Sequence, residues 1–120
     1  YASPANVSDD TLAACALVGI TALLGLRKAA LQPDETIFVR GGTGGVGSMV
    51  VQMAKAIGAT VITTAGSAEK AQRCRQLGAD HVIQYKQHDT LEQLKQLVPL
   101  GCNVFWETLR TPDFDMATAA

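Results

Sequence analysis

The residues best placed to do chemistry in this sequence are the run Gly41-Gly42-Thr43-Gly44-Gly45-Val46-Gly47. It holds a GxGxxG spacing from Gly42 to Gly47, and that spacing suits an anion cradle built from backbone. Gly42 is expected to turn the chain tightly out of a strand. Gly44 is expected to keep side chains away from a diphosphate, and Gly47 to let helix and strand pack closely. The N–H groups of Gly45, Val46 and their neighbours, including Thr43, then face an anion with a helix dipole behind them. A lone GxGxxG is weak evidence, so its weight rests on the elements around it.

Those elements are legible. Thr36-Ile37-Phe38-Val39-Arg40 is a short β-branched and aromatic run that reads as a buried strand directly before the glycines. After them Val46, Met49, Val50, Met53, Ala54 and Ile57 recur at helical spacing, up to a stop at Gly58. Thr60 to Thr64 reads as a second strand, Ala68 to Leu77 as a helix stopped by Gly78, and His81 to Ile83 as a third strand. A helix over Thr90 to Val98, a strand over Asn103 to Trp106 and a last helix opened by Pro112-Asp113 complete the series. Ahead of the first strand, Ser8-Asp9-Asp10 caps a helix that runs to about Ala30, where Gln32-Pro33-Asp34 forces a turn. Such alternation predicts an α/β fold, a Rossmann-type doubly wound parallel sheet in three α/β/α layers. The expected strand order is 3-2-1-4, and the fifth and sixth strands of a complete dinucleotide fold are missing. Residues 1–120 thus read as a partial NAD(P)-binding domain, with 1–31 its leading helical segment.

Composition narrows the classes of function. The chain has 120 residues, 48% of them apolar, and a net charge of −1. One domain with a real core is expected, and near-neutrality argues against nucleic-acid binding. Cys15, Cys74 and Cys102 form no CxxC pair, so buried or half-buried free thiols in a cytoplasmic protein are expected rather than disulfides or a zinc knuckle. The uncharged run Thr11 to Leu26 is short for a membrane span and contains Gly19 and Gly25, which favours a buried helix and no membrane. Tyr1-Ala2-Ser3-Pro4 carries neither an initiator Met nor a signal peptide, as if cut from something longer. A Walker A loop is excluded because Ser48-Met49 follows Gly47 where Lys-Ser or Lys-Thr is required. The short-chain reductase spacing also fits Gly41, Gly45 and Gly47, but a whole helix precedes this first strand.

The nucleotide follows from the end of the second strand. There NAD-binding units place a carboxylate on the ribose hydroxyls, about 20 residues past the glycines. This chain has Thr63-Thr64-Ala65-Gly66-Ser67, without an acid, and Lys70, Arg73 and Arg75 soon after. A hydroxyl with nearby cations suits a 2′-phosphate, so the expected cofactor is NADPH. The same cations also suit a solvated helix face, Arg75 most of all.

With loop and strands placed, the sequence resembles the medium-chain dehydrogenase/reductase superfamily, in particular its zinc-free quinone-oxidoreductase branch. The marks are Leu17 to Ala22, the GGTGGVG loop, Gln52 to Ala59, Ala65 to Lys70, Leu77 to Ile83 and Tyr85. The resemblance runs from about Val7 to Trp106. It implies a two-domain, homodimeric NADPH reductase whose substrate domain lies outside this chain. It also implies 2′-phosphate contacts from Ser67 and Lys70, a cofactor-binding place for Gly66 beside them, Tyr85 against the adenosine end, and Thr21 near the nicotinamide half. Zinc-dependent relatives carry a ligating cysteine where this chain has Leu17, and Cys15 is two residues off. Two departures stand out: Arg40 at the end of the first strand, and Glu107-Thr108-Leu109-Arg110 where relatives have an acidic residue and a Val-Gly-Gly-like turn.

The remaining candidates are bland. His81 and His88 have no ligand cluster at metal spacing, Trp106, Met49 and Met53 read as packing, and Tyr85-Lys86 is not a YxxxK pair. The expected activity is hydride transfer to a quinone or an activated alkene, with no general acid in this segment and none from the chain alone. An enoyl-thioester reductase unit and a non-catalytic NADPH-binding protein are the alternatives.

Overall fold

Alternating side chains along the strands decide how this chain is layered. The structure, a computed structural model, describes residues 8–109 and 113–120. Tyr1 to Pro4, Val7, Arg110 and Pro112 therefore lie outside the described residues. Strands β1 (Thr36–Arg40), β2 (Thr60–Ala65), β3 (His81–Gln84) and β4 (Val104–Glu107) form one sheet in the order β3-β2-β1-β4. All three pairings are parallel, as the alternation with helices requires. The helices are α1 (Asp9–Ala29), α2 (Gly45–Ile57), α3 (Ala68–Leu77), α4 (Thr90–Leu97) and α5 (Phe114–Ala119).

Ile37, Val39 and Val61 point to one face of the sheet, where Val50, Val51 and Ala54 of α2 and Ala71 and Cys74 of α3 bury them. Phe38, Ile62 and Ile83 point to the other face, against Leu94 of α4, with Phe105 and Met116 alongside. Phe38 and Phe105 meet with ring centroids 5.2 Å apart. The period of two thus feeds both faces, giving the three layers.

Expected boundaries are displaced by one or two residues, each time for a visible reason. Strand β4 starts at Val104 because the Asn103 side chain already accepts the Thr36 N–H at 2.8 Å and its own N–H meets the Thr36 carbonyl. Asp113 sits outside α5 as its cap, accepting from Met116 N at 2.8 Å. The stops at Gly58 and Gly78 are left-handed caps. All three cysteines are free, but Cys15 is exposed, against the expectation of burial. Burial pushes the Cys74 and Cys102 thiols up, which keeps both protonated.

Helix α1 departs further from expectation. By length and composition alone it is apolar enough to cross a membrane. It is not a buried helix either: among the described residues only Ala22 and Leu26 are enclosed, while Leu17, Ile20 and Leu24 are more than half exposed. Its inner stripe lies on α2 and on the Trp106 ring, which a side chain at Gly25 would strike. Within this chain a single layer of partners is available to α1, so a helix apolar all round covers one side only.

Asp80 fastens the helix layer to the sheet. Its Oδ1 meets Lys55 Nζ at 2.7 Å and its Oδ2 accepts the Val61 N–H at 2.8 Å. Partial burial raises this carboxyl, but the Lys55 ammonium and the Val61 amide outweigh it and hold Asp80 below its ordinary value of 3.8. A group depressed on folding stabilises above its unfolded pKa and ceases to as pH falls through the folded one. The urea midpoint is therefore expected to fall below about pH 4, and Asp80→Asn to flatten that acid limb. An acid limb of unchanged steepness in the variant would remove Asp80 from the account.

Candidate cofactor-binding cleft

The sheet reverses its order between β1 and β4, and a cleft of about 790 Å³ opens there above the strand ends. Open α/β sheets bind ligands at this switch point. The loop between β1 and α2 forms its floor: Gly41, Thr43, Gly44, Gly45, Val46 and Gly47 all line it.

The glycines divide the work differently from the expectation. Gly41, with φ of +89°, makes the turn out of β1 that was assigned to Gly42. Gly42 does not line the cleft. A Cβ there would strike Thr63, a buried residue whose hydroxyl donates to the Val39 carbonyl at 2.6 Å. Gly47 packs helix on strand as expected, since a Cβ there would overlap the Gly41 carbonyl. A Cβ at Gly44 would make only an ordinary contact, with the Gly41 oxygen at 3.5 Å.

Gly44 caps α2 without a side chain, and its own N–H turns back to the Gly41 carbonyl at 3.2 Å. The first helical N–H to find an acceptor is that of Ser48, on the Gly44 carbonyl at 2.9 Å. The amides of Gly45, Val46 and Gly47 precede it, and a helix start leaves such donors without an internal partner. Three donors thus stand at the positive end of the α2 dipole, on the floor of the cleft.

One side of the cleft comes from β2, β3 and α3. Gly66, Lys70 and Tyr85 line it. Tyr85 lies so close over Gly66 that a Cβ there would sit 2.9 Å from the Tyr85 hydroxyl. Ser67 is not among the lining residues; it caps α3, its Oγ accepting from Lys70 N at 3.2 Å. Arg73 reaches Glu69 at 3.6 Å on an exposed helix face, and neither it nor Arg75 lines the cleft. The lining includes the cations Arg40 and Lys70 and, among the described residues, no carboxylate.

Thr21 is not among the residues that line the cleft. Its hydroxyl donates to the Leu17 carbonyl at 2.8 Å along α1, and Val18 is the α1 residue that reaches the cleft. Sequence reading also missed Thr64, whose Oγ1 accepts the Gly41 N–H at 3.0 Å, and Thr90, Thr108, Leu109 and Met116. Their only signal is a position just past a strand end or at a helix start. Arg40 was flagged as a departure without a role, and it lines the cleft.

Strand order, glycine loop and switch-point cleft together define a Rossmann-type domain of the dinucleotide-binding kind. The chain belongs to the zinc-binding dehydrogenase family of the medium-chain dehydrogenase/reductase superfamily, whose model matches residues 45–120. It is 42% identical over 95 residues to quinone oxidoreductase 1 of Escherichia coli K12, covering 78% of this chain and 29% of that protein. The quinone oxidoreductase of Pseudomonas syringae pv. tomato DC3000 superposes with a TM-score of 0.90 at 31% identity, over 99% of this chain and 37% of that one. The E. coli quinone oxidoreductase crystallised with NADPH superposes with a TM-score of 0.76 at 40% identity, over 82% and 31%. The chain thus spans about three-tenths of the length of these curated relatives.

Proposed function

We propose that this cleft holds NADPH and that the full-length protein transfers its hydride to a quinone or an activated alkene. The observation that carries the cofactor reading is the lining itself: three helix-start amides on the floor, Lys70 at one side and no carboxylate among the described residues. The amides suit a diphosphate and Lys70 suits a 2′-phosphate, because both are anions that a carboxylate would repel. Gly44, which lines the cleft without a side chain, leaves the backbone bare for the close approach a diphosphate needs. Ser67, although used as a helix cap, keeps its own hydroxyl proton free to donate. Bound there, NADPH supplies the reducing equivalent, while the protein orients it and excludes water. No group in this chain is assigned a proton-transfer role. The structure of the E. coli relative with NADPH supports the choice of cofactor, and the quinone oxidoreductase names support the choice of acceptor.

Zinc independence belongs to the same proposal. Leucine cannot ligate a metal, and Leu17 occupies the position that the resemblance assigns to a ligating cysteine. Among the described residues no three His, Cys, Asp or Glu side chains gather as a metal site. The substrate domain, a homodimeric assembly and a cytoplasmic setting are proposed from the resemblance alone, and nucleic acid and membrane are proposed not to be partners. An enoyl-thioester acceptor is tested by comparing turnover of a quinone with that of an α,β-unsaturated thioester.

Titration of the full-length protein with NADPH and NADH tests the cofactor reading. Lys70→Ala is expected to weaken NADPH by about tenfold to a hundredfold, the worth of one or two charge-assisted hydrogen bonds, and to leave NADH within about twofold. An NADPH preference that survives the change intact overturns the assignment of Lys70.

A further inference from the structure

The two departures from the family pattern, Arg40 and the Glu107 turn, prove to be halves of one construction. Arg40 and Glu107 are register partners at the last positions of β1 and β4. Arg40 Nη1 donates to Glu107 Oε2 at 2.7 Å, and the two side chains are only 21% and 18% exposed. The Glu107 carboxylate has two further donors. Its Oε1 accepts the Leu109 N–H at 3.0 Å and its Oε2 accepts the Asp113 N–H at 3.2 Å. Asp113 in turn caps α5 through the Met116 N–H.

The bonds to Arg40 and Leu109 end on pieces of the cleft, and the Asp113 bond reaches it through the cap on Met116. Leu109 and Met116 line it, Arg40 lines it, and Thr108, which lies between the two bonded residues, lines it as well. Thr108 also donates its hydroxyl to the Arg40 carbonyl, so side chain and main chain bind the two strand ends from both directions. One carboxylate therefore collects an arginine from β1, the amide of the β4 turn and the start of α5.

We propose that Glu107, clamped by Arg40, is the positioning residue for the β4 side of the cleft and fixes the half of the dinucleotide that lies beyond the diphosphate from Lys70 and Tyr85. The inference rests on the cofactor reading above. The strand order supplies the geometry: Lys70 and Tyr85 stand on the β2–β3 side of the glycine loop and the Glu107 assembly stands on the β4 side. A dinucleotide whose diphosphate sits on the loop must extend its other half over Thr108, Leu109 and Met116. Three donors converge on Glu107, and a carboxylate, which only accepts, satisfies all of them. A carboxamide at this position turns an NH₂ toward at least one donor, so the turn is released without a change of size.

The experiment compares two ligands on the full-length protein: NADPH, and adenosine 2′,5′-bisphosphate, which carries only the Lys70 half. Glu107→Gln is expected to weaken NADPH by about tenfold, since displacement of a bound group by about 1 Å has effects of this order or larger. It is expected to leave adenosine 2′,5′-bisphosphate within about twofold, because groups remote from a change act independently of it. Arg40→Gln, which keeps the two amide bonds of Glu107, is expected to give a smaller loss with the same selectivity. It serves as the readout should Glu107→Gln fail to fold, as judged by its melting curve. Equal weakening of both ligands, or NADPH affinity unchanged in both variants, overturns the positioning role. A wild-type protein that takes up neither ligand overturns the cofactor reading and this inference with it. Wild-type uptake of both ligands with no selective loss overturns this inference alone.

Discussion

Gly44→Val is expected to abolish NADPH binding while leaving the fold intact. Gly44 has φ of −71° and ψ of 169°, a conformation open to any L-residue. A Cβ there meets nothing nearer than the Gly41 oxygen at 3.5 Å, an ordinary contact, so the substitution adds no clash at that atom. It stands on the cleft floor, ahead of the amides of Gly45, Val46 and Gly47, where a diphosphate has to come within hydrogen-bonding distance. A hydrogen bond to a charged group contributes about 1.5–3 kcal/mol, so losing two weakens binding by about a hundredfold or more. Isothermal titration measures the affinity, and thermal melting is expected to agree with wild type within about 2 °C. A valine variant that still binds NADPH with wild-type affinity would show that the diphosphate does not lie on this loop.

Gly47→Ala is expected to do the reverse and damage the fold first. Its added methyl would overlap the Gly41 carbonyl and press on Gly42 Cα, both backbone atoms at the crossing of β1 and α2. No rotamer change relieves a clash with main chain, so helix and strand must separate. Overpacking of this kind costs about 3 kcal/mol or more, and in a domain of this size that lowers the melting temperature by about 10 °C. The two substitutions lie three residues apart in one loop and separate binding from stability. A melting temperature unchanged by Gly47→Ala would mean that α2 approaches β1 less closely than described.

The contrast shows why a GxGxxG spacing alone carries so little information. Gly42, Gly44 and Gly47 look equivalent in sequence, yet one faces Thr63, one faces the cleft and one faces a carbonyl. The direction of each missing Cβ depends on where the turn begins, and the turn is made by Gly41, which stands outside the hexapeptide. The same limit applies to Thr21 and Ser67. Both hydroxyls engage local backbone, Thr21 donating to the Leu17 carbonyl and Ser67 accepting from the Lys70 N–H. Which side of a helix faces a cleft cannot be read from a residue type.

Much of this protein is nevertheless written locally. Strand β1, both glycine-stopped helices and the side-by-side placing of β1, β2 and β3 follow from short-range signals: β-branched runs, left-handed caps and the right-handed crossover rule, each acting within one β-α-β unit. The absence of an acid from the end of β2 to Ser67 and the presence of Lys70 in the first turn of α3 are likewise local, because both fall within a few residues of the β2–α3 junction.

Tertiary structure alone decided the rest. Arg40 and Glu107 are 67 residues apart in sequence and become partners only because β4 adds beside β1 rather than beside β3. Val18, Thr108 and Met116 reach the cleft, and Thr21 does not, for the same reason: membership depends on how separate elements are stacked. Helix α1 shows it most plainly, since its composition requires a cover and only the packing reveals that α2 and Trp106 provide it on one side. Hydrogen-bonded turns and caps are fixed by near neighbours along the chain, whereas a cleft is fixed by distances between elements that no local interaction sets.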